Sequence, residues 1–519
     1  MDAVPTLKPV GTFHTGTSIS GAGRGRHRSF GRKAGWRPPG ARPTHGPAEG
    51  VDSPAVGASL ESPGSAAAPA DALGTPPRLG AGPATALVAG SMLGIGIFIA
   101  PPVVAAHAPT PAAFLLVWIL GGLSALAGAL SVAELGAMMP RAGGDYPYLR
   151  VAYGPQVAFA VGWLQLLAIF PGSLATMAAG TATFQLPVLL GDAYDIFARA
   201  GLDVDPAFAW AVLIVVGLSA VNHVGIVLSG RTQVVLTTVP VALLLVASIF
   251  VLAKMGGYHP DAAVSPATPT VATLESLALA FLPVYFAYSG WNAAIFVGAE
   301  IREPGRSLPR ALVGGTLLVT GLYLVLCVGF LAVFPLSDLA RVGEAGTAAA
   351  GRLFGTAGEH VVTTLILLAM LGSINGTVLT GSRIAFAMGR AGHAPRIAGR
   401  LHPRHATPVV ALWGQAAWSV VLLASQSFEA LMNYTSAAML ITGTLTVLAV
   451  VVLRRRDPQR PRPYRVLAYP LPPVFYAGSS ILVLVLSASK GDPSVLVGIG
   501  YFAAAWVAYG ISARRRAGP

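Results

Sequence analysis

A chain of 519 residues with 54% hydrophobic and 11% charged positions and a mean hydropathy of +0.66 lies far from the soluble norm, in which about 25% of residues are charged. The composition excludes an ordinary soluble domain and predicts an all-α polytopic membrane protein. The net charge of +13 invites a nucleic-acid reading, which its distribution along the chain excludes.

Residues 1–80 are rich in Gly, Pro, Ala, Ser and Arg and show no apolar periodicity. Such a segment cannot bury enough surface to offset the entropy of ordering, so a disordered basic cytoplasmic tail is expected. It lacks the short apolar core of a secretory signal. Arg24, Arg26, Arg28, Arg32, Lys33 and Arg37 either attract anionic head groups or simply belong to an unstructured tail.

Twelve apolar runs follow, over 83–106, 112–138, 154–186, 207–226, 232–254, 273–299, 309–334, 358–388, 407–425, 429–453, 470–489 and 494–513. Each has about the 20 residues a membrane helix needs. The third carries Pro171-Gly172, where a kink is expected. With the N-terminus inside and alternating sides, 29 of the 34 Lys and Arg fall on the inner side. That asymmetry is the positive-inside signature and predicts cytoplasmic termini in the cell (plasma or inner) membrane. Helices 1–5 (83–254) and 6–10 (273–453) form two halves. An odd number of helices per half makes the halves opposite in orientation, as an inverted repeat requires. The expected domains are the tail (1–80), a ten-helix core (81–455) and helices 11–12 with a basic end (456–519).

The first helix of each half is broken, at Gly90-Ser-Met-Leu-Gly-Ile-Gly-Ile-Phe98 and at Phe281-Leu-Pro-Val-Tyr-Phe-Ala-Tyr-Ser-Gly-Trp-Asn292. At membrane depth every backbone group must be paired, so interrupted helices there line a protein cavity. Paired breaks in corresponding places point to a transport site. Gly94 and Gly96 let the first helix open, and the amides of the half-helix that follows attract a carboxylate. Between Ala287, Tyr288, Ser289 and Gly290 unpaired carbonyls attract an ammonium. A zwitterion carrying both groups on one carbon fits between them. The alternative is small residues at helix contacts.

Five stretches carry a resemblance: Gly90–Pro101; Ala133-Glu-Leu-Gly-Ala-Met-Met-Pro-Arg-Ala-Gly-Gly-Asp-Tyr-Pro-Tyr148; Phe286–Asn292; Glu300-Ile-Arg-Glu-Pro-Gly-Arg-Ser-Leu-Pro309; and Gly372-Ser-Ile-Asn-Gly376 running to Ser382-Arg383. Over roughly 83–455 the chain resembles the amino acid–polyamine–organocation transporters, nearest their L-type and related prokaryotic branches. The resemblance implies a 5+5 inverted-repeat core with discontinuous helices 1 and 6 plus two helices. It also implies alternating access to an amino-acid site. By position, the amides of Ile95 and Gly96 would meet the carboxylate, with Ser91 nearby. Carbonyls of Met92, Phe286 and Ser289 would meet the ammonium. Phe286 would be the gate, and Trp291 and Asn292 would shape the side-chain pocket.

No acidic residue lies near either break in the sequence, and Ile95, Met92 and Phe286 are apolar, so a neutral amino acid is expected. The alternatives are a cationic amino-acid or polyamine antiporter and a non-transporting sensor. Many members of the family the chain resembles carry a lysine in helix 5, a few residues after a Gln-x-x-x-Thr stretch. Here that stretch is Gln233-Val-Val-Leu-Thr237, and the lysine position is Pro240. Lysine-type proton coupling is therefore not expected. Exchange, uniport or a sodium site at Ser373 and Thr377 stay open.

Glu300, Arg302, Glu303, Arg306 and Arg310 either form an inner gate or cap helices. Gly143-Gly144-Asp145-Tyr146 is expected to turn into a short interfacial helix with its tyrosines at head-group depth. His402 and His405 lack further ligands for a metal site. No phosphate-binding G-x-x-x-x-G-K-[S/T] loop exists, and neither an enzyme nor a channel is expected. No cofactor, metal or nucleic-acid partner is expected. Cys327, within helix 7, leaves no outer cysteine for a covalent single-pass partner.

Overall fold

The computed structural model describes residues 79–224 and 274–517, apart from isolated positions at 142, 426, 490 and 492, and scattered positions between 235 and 249. The tail expectations, and those on Gln233, Thr237 and Lys254, lie outside the described residues. All described residues fall in one unit, Ala68–Pro519. The principal helices are α1 (Ala81–Met92), α2 (Gly96–His107), α3 (Pro111–Met138), α4 (Asp145–Tyr153), α5 (Pro155–Leu164), α6 (Phe170–Gly180) and α7 (Pro206–Val224). They continue with α8 (Leu274–Ala287), α9 (Pro304–Val333), α10 (Ala345–Arg390), α11 (Val409–Ser425), α12 (Phe428–Arg456), α13 (Leu471–Ser489) and α14 (Pro493–Ala517). Among the described residues there is no strand, only one isolated bridge between Leu79 and Ile301.

Among the described residues eight helices are long and apolar enough to cross a membrane, and α1 with α2, bent by 42° at the break between them, passes the same test of length and composition as a pair. α11 is a shorter apolar helix. Their starts follow local chemistry. Thr110 caps α3, its side chain accepting from the Ala113 amide at 3.1 Å, and Pro111 at the first position has no N–H to leave unpaired. Glu344 and Ser427 cap α10 and α12 in the same way.

The third predicted run departs from a plain kinked helix. α5 and α6 join through a π-helical turn, Gln165–Ile169. Pro171 has no N–H to offer the carbonyl of Leu167, four residues back. The indole Nε1 of Trp418, on α11, donates to that carbonyl at 2.9 Å instead. The irregular turn is thus satisfied by a neighbouring helix, as lipid-depth backbone requires. α10 is likewise two helices, divided at Gly355 with φ of 65°.

α3 and α1 pack on α9, α2 packs on α8, and α13 packs on α3 and α12. The broken segments sit inside this bundle: Met92, Ile95, Ala287 and Phe286 are all buried.

Candidate functional site

The two breaks meet. α1 stops at Met92, and α2 starts at Gly96 with Ile95 as its N-cap and no side-chain cap. An apolar N-cap leaves the first amides of α2 for another acceptor. α8 ends at Ala287, and Gly290, with φ of 95°, reverses the chain into short 3₁₀ turns at Ala293–Phe296 and Gly298–Glu300. A Cβ on Gly96 would lie 2.4 Å from the Ala287 Cα, and one on Gly290 would lie 2.5 Å from the Ser91 carbonyl oxygen. Each break therefore uses a missing side chain to press against the backbone of the other.

Tyr323, from α9, ties the two together. Its buried hydroxyl lies 2.7 Å from the Met92 carbonyl and 3.0 Å from the Ala287 carbonyl, and donates between them. No local pattern marks this residue, since a tyrosine in a long apolar helix looks like packing.

One cavity of about 90 Å³ collects the breaks, well above the roughly 10–15 Å³ that a single water needs. It is lined by Ser91, Met92, Gly94, Ile95 and Gly96 from the first break. The second contributes Phe286, Ala287, Ser289, Gly290, Trp291 and Asn292, and α10 adds Ser373 and Thr377. Tyr288, expected among them, is elsewhere. It turns away to α3 and α9, packs at a tilt against the rings of Trp118 and Tyr323 at 6.0 and 5.0 Å, and donates to the Trp118 carbonyl at 3.2 Å.

Phe286 is 5% exposed at the cavity wall. Trp291 lines the cavity and also packs edge-on against Tyr476 at 5.6 Å, over Gly128. The Ser373 hydroxyl lies 3.4 Å from the Ser91 carbonyl, and Thr377 donates to the Ser373 carbonyl at 3.0 Å. Ser91 Oγ is buried with no partner among the described residues.

The structure overturns one premise of the sequence reading: an acid does reach the breaks. Asp145, the first residue of α4, lines the same cavity and is 2% exposed. Gln165, in the π turn after α5, donates to its Oδ2 at 2.8 Å. The short helix α4 forms as expected, yet Tyr146 and Tyr148 are buried inside the protein instead of lying at its surface. Tyr146 bonds Nδ1 of His393 at 2.7 Å.

The expected charged loop forms a different network. Glu300 pairs with Arg383 of α10 at 2.8 Å, both largely buried. The adjoining strand-like contact joins Leu79 N to the Glu300 carbonyl at 3.0 Å and Arg302 N to the Leu79 carbonyl at 2.8 Å. Glu134 is held by Arg454 at 2.5 Å and by Arg462 at 3.2 Å. Pro240 is helical and buried.

The family model described as "Amino acid permease" matches residues 79–511, which encloses both breaks, the cavity, α13 and most of α14. The chain is similar to the serine/threonine exchanger SteT of Bacillus subtilis (strain 168), 28% identical over 442 residues, covering 83% of this chain and 96% of the relative. It is similar to the Asc-type amino acid transporter 1 of Mus musculus, 32% identical over 413 residues, covering 78% and 75%. It is also similar to the large neutral amino acids transporter small subunit 2 of Homo sapiens, 28% identical over 392 residues, covering 75% and 72%. A match that runs the length of the helical bundle and takes in both broken helices gives one conclusion: this chain belongs to the amino acid permeases of the amino acid–polyamine–organocation superfamily.

Proposed function

We propose that this protein moves amino acids with neutral side chains across the cell membrane by alternating access, as an exchanger or an ion-coupled symporter. The observation that carries the proposal is the meeting of two broken helices around one cavity. In this reading the twelve helices form two inverted five-helix halves plus two, with both termini cytoplasmic. The free amides at Ile95 and Gly96 take the substrate carboxylate, and the carbonyls of Phe286 and Ser289 take its ammonium. The Met92 carbonyl, already accepting from Tyr323, has a second lone pair for the same ammonium. Phe286 is the gate, and Trp291 with Asn292 bounds the side-chain pocket. Ser373 and Thr377 are the candidate oxygens for sodium. A neutral substrate agrees with the apolar Met92, Ile95 and Phe286 and with the serine/threonine and the large neutral amino acids that two of the relatives' names give as their own substrates.

The test is flux in proteoliposomes, using labelled serine, alanine, leucine and arginine outside. Vesicles are either empty or preloaded with unlabelled amino acids, and sodium and pH are varied in turn. Uptake of a neutral amino acid only into preloaded vesicles establishes exchange. Uptake into empty vesicles under an ion gradient establishes symport. Binding without flux in any condition would replace the transporter with a sensor.

A further inference from the structure

Four carboxylates are deeply placed in the described part of this protein: two are neutralised by arginines, and a third, Glu344, caps α10 by accepting from the Gly346 and Thr347 amides. Glu134 has Arg454 and Arg462, and Glu300 has Arg383. Asp145 is as buried as Glu134, yet no ion pair among the described residues involves it. Its Oδ2 accepts from Gln165, while its Oδ1 and the Gln165 Oε1 are buried without a partner. Gln165 is itself 2% exposed. Both side chains line the substrate cavity.

The neighbours of Asp145 are polar and uncharged. Asn292 faces it from the second break and Thr446 from α12. The titratable groups near it are phenols: Tyr148 on its own helix, Tyr285 on α8 and Tyr476 on α13. From α10, Arg383 is committed to Glu300, and His393, just beyond the helix end, is committed to Tyr146. A buried carboxylate with no cation is costly. The cavity is the side from which a positive species can reach it.

We propose that Asp145 is a proton-binding site built into the cavity, and that its proton occupancy is coupled to amino-acid occupancy. The second half rests on the amino-acid reading of the cavity, whereas the first half does not. α4 is a nine-residue helix outside the candidate spans. Burial pushes its Asp145 carboxyl up from 3.8 to about 7, against the opposing effect of the Gln165 hydrogen bond and of the nearby polar groups of Asn292 and Thr446. The direction of coupling follows from hydration. A substrate filling the cavity displaces water beside Asp145, which favours the neutral acid. By reciprocity the proton tightens substrate binding.

The first experiment needs no substrate. Infrared difference spectra between wild type and Asp145→Asn, recorded on the full-length protein in detergent, are titrated from about pH 5.5 to about pH 8.5. A carboxylic-acid band that disappears with a midpoint near neutrality is expected. A carboxylate already ionised at the acid end would overturn the proposal. The second experiment measures labelled serine binding over the same range. If serine binds only the protonated form, wild-type affinity falls roughly 30-fold from the acid to the alkaline end, and the pH dependence vanishes in Asp145→Asn. Asp145→Glu, which keeps the titrating group should the amide variant fail to fold, retains a pH dependence with a shifted midpoint. Serine binding that is flat with pH in wild type, or that depends on sodium instead, overturns the coupling. If serine does not bind at all, the infrared result still decides whether Asp145 holds a proton, so failure of the amino-acid reading is distinguishable.

Discussion

At Gly96 the missing side chain faces the Ala287 backbone at 2.4 Å, and at Gly94 it faces the Ser373 hydroxyl at 3.1 Å and the Met177 sulfur at 3.6 Å. Both glycines belong to one break, and they do different work. Gly96→Ala forces α2 away from α8, an overpacking that costs about 1–3 kcal/mol. It should lower the thermal unfolding midpoint with or without substrate. Gly94→Ala projects a methyl towards cavity-lining atoms that can shift, so it should weaken serine binding while leaving the unfolding midpoint of the substrate-free protein near wild type. Equal losses of stability in both variants would show that the two positions are not distinct. A larger side chain at Gly96 is a poor probe of the cavity for the same reason: it separates the half-helices before it fills anything. Phe286→Ala should impair serine flux more than stability, and unchanged flux in a well-folded variant would make Phe286 packing.

Two of the irregular stretches in this protein are completed by another element. The π turn after α5 exposes the Leu167 carbonyl, and Trp418 from α11 supplies the missing donor. Trp418→Phe keeps most of the packing but leaves that carbonyl unpaired, at a cost of about 1–3 kcal/mol. Thermal unfolding measured beside Trp413→Phe, a second indole on the same helix whose Nε1 bonds His223 at 3.0 Å, separates the loss of this bond from the loss of any indole. A larger destabilisation at Trp418 is expected, because the carbonyl it serves belongs to the helix interior. Tyr323 works on the same principle at the breaks, with one hydroxyl serving two carbonyls that α1 and α8 cannot satisfy themselves.

Across the whole molecule, the Glu300–Arg383 pair joins the segment after the second break to the end of α10, and Leu79 pairs with the same segment. Removing one partner of a largely buried pair costs about 3–5 kcal/mol, mostly from the charge left behind. Arg383→Ala and Glu300→Ala should each lower the unfolding midpoint strongly. The double variant should lose less than the sum. Additive losses would mean that the pair is not a coupled unit.

Much of this architecture was legible because its causes are local. The length of an apolar run decides whether a segment spans, so each predicted run in the described part overlaps an observed helix, although the sixth, 273–299, is α-helical only to Ala287. Glycines within such runs marked both breaks, and the residues named around them, Tyr288 excepted, line one cavity. What the sequence determined by itself was therefore the membrane class, the helix order and the places where helices open. Tertiary structure alone decided the rest. It brought Asp145 from a connecting helix to the breaks, turned Tyr288 away from the cavity and gave Glu300 its partner in Arg383. The reason is physical: burying a polar group or a charge is settled by what a distant segment presents to it, and no local pattern of residues records that encounter.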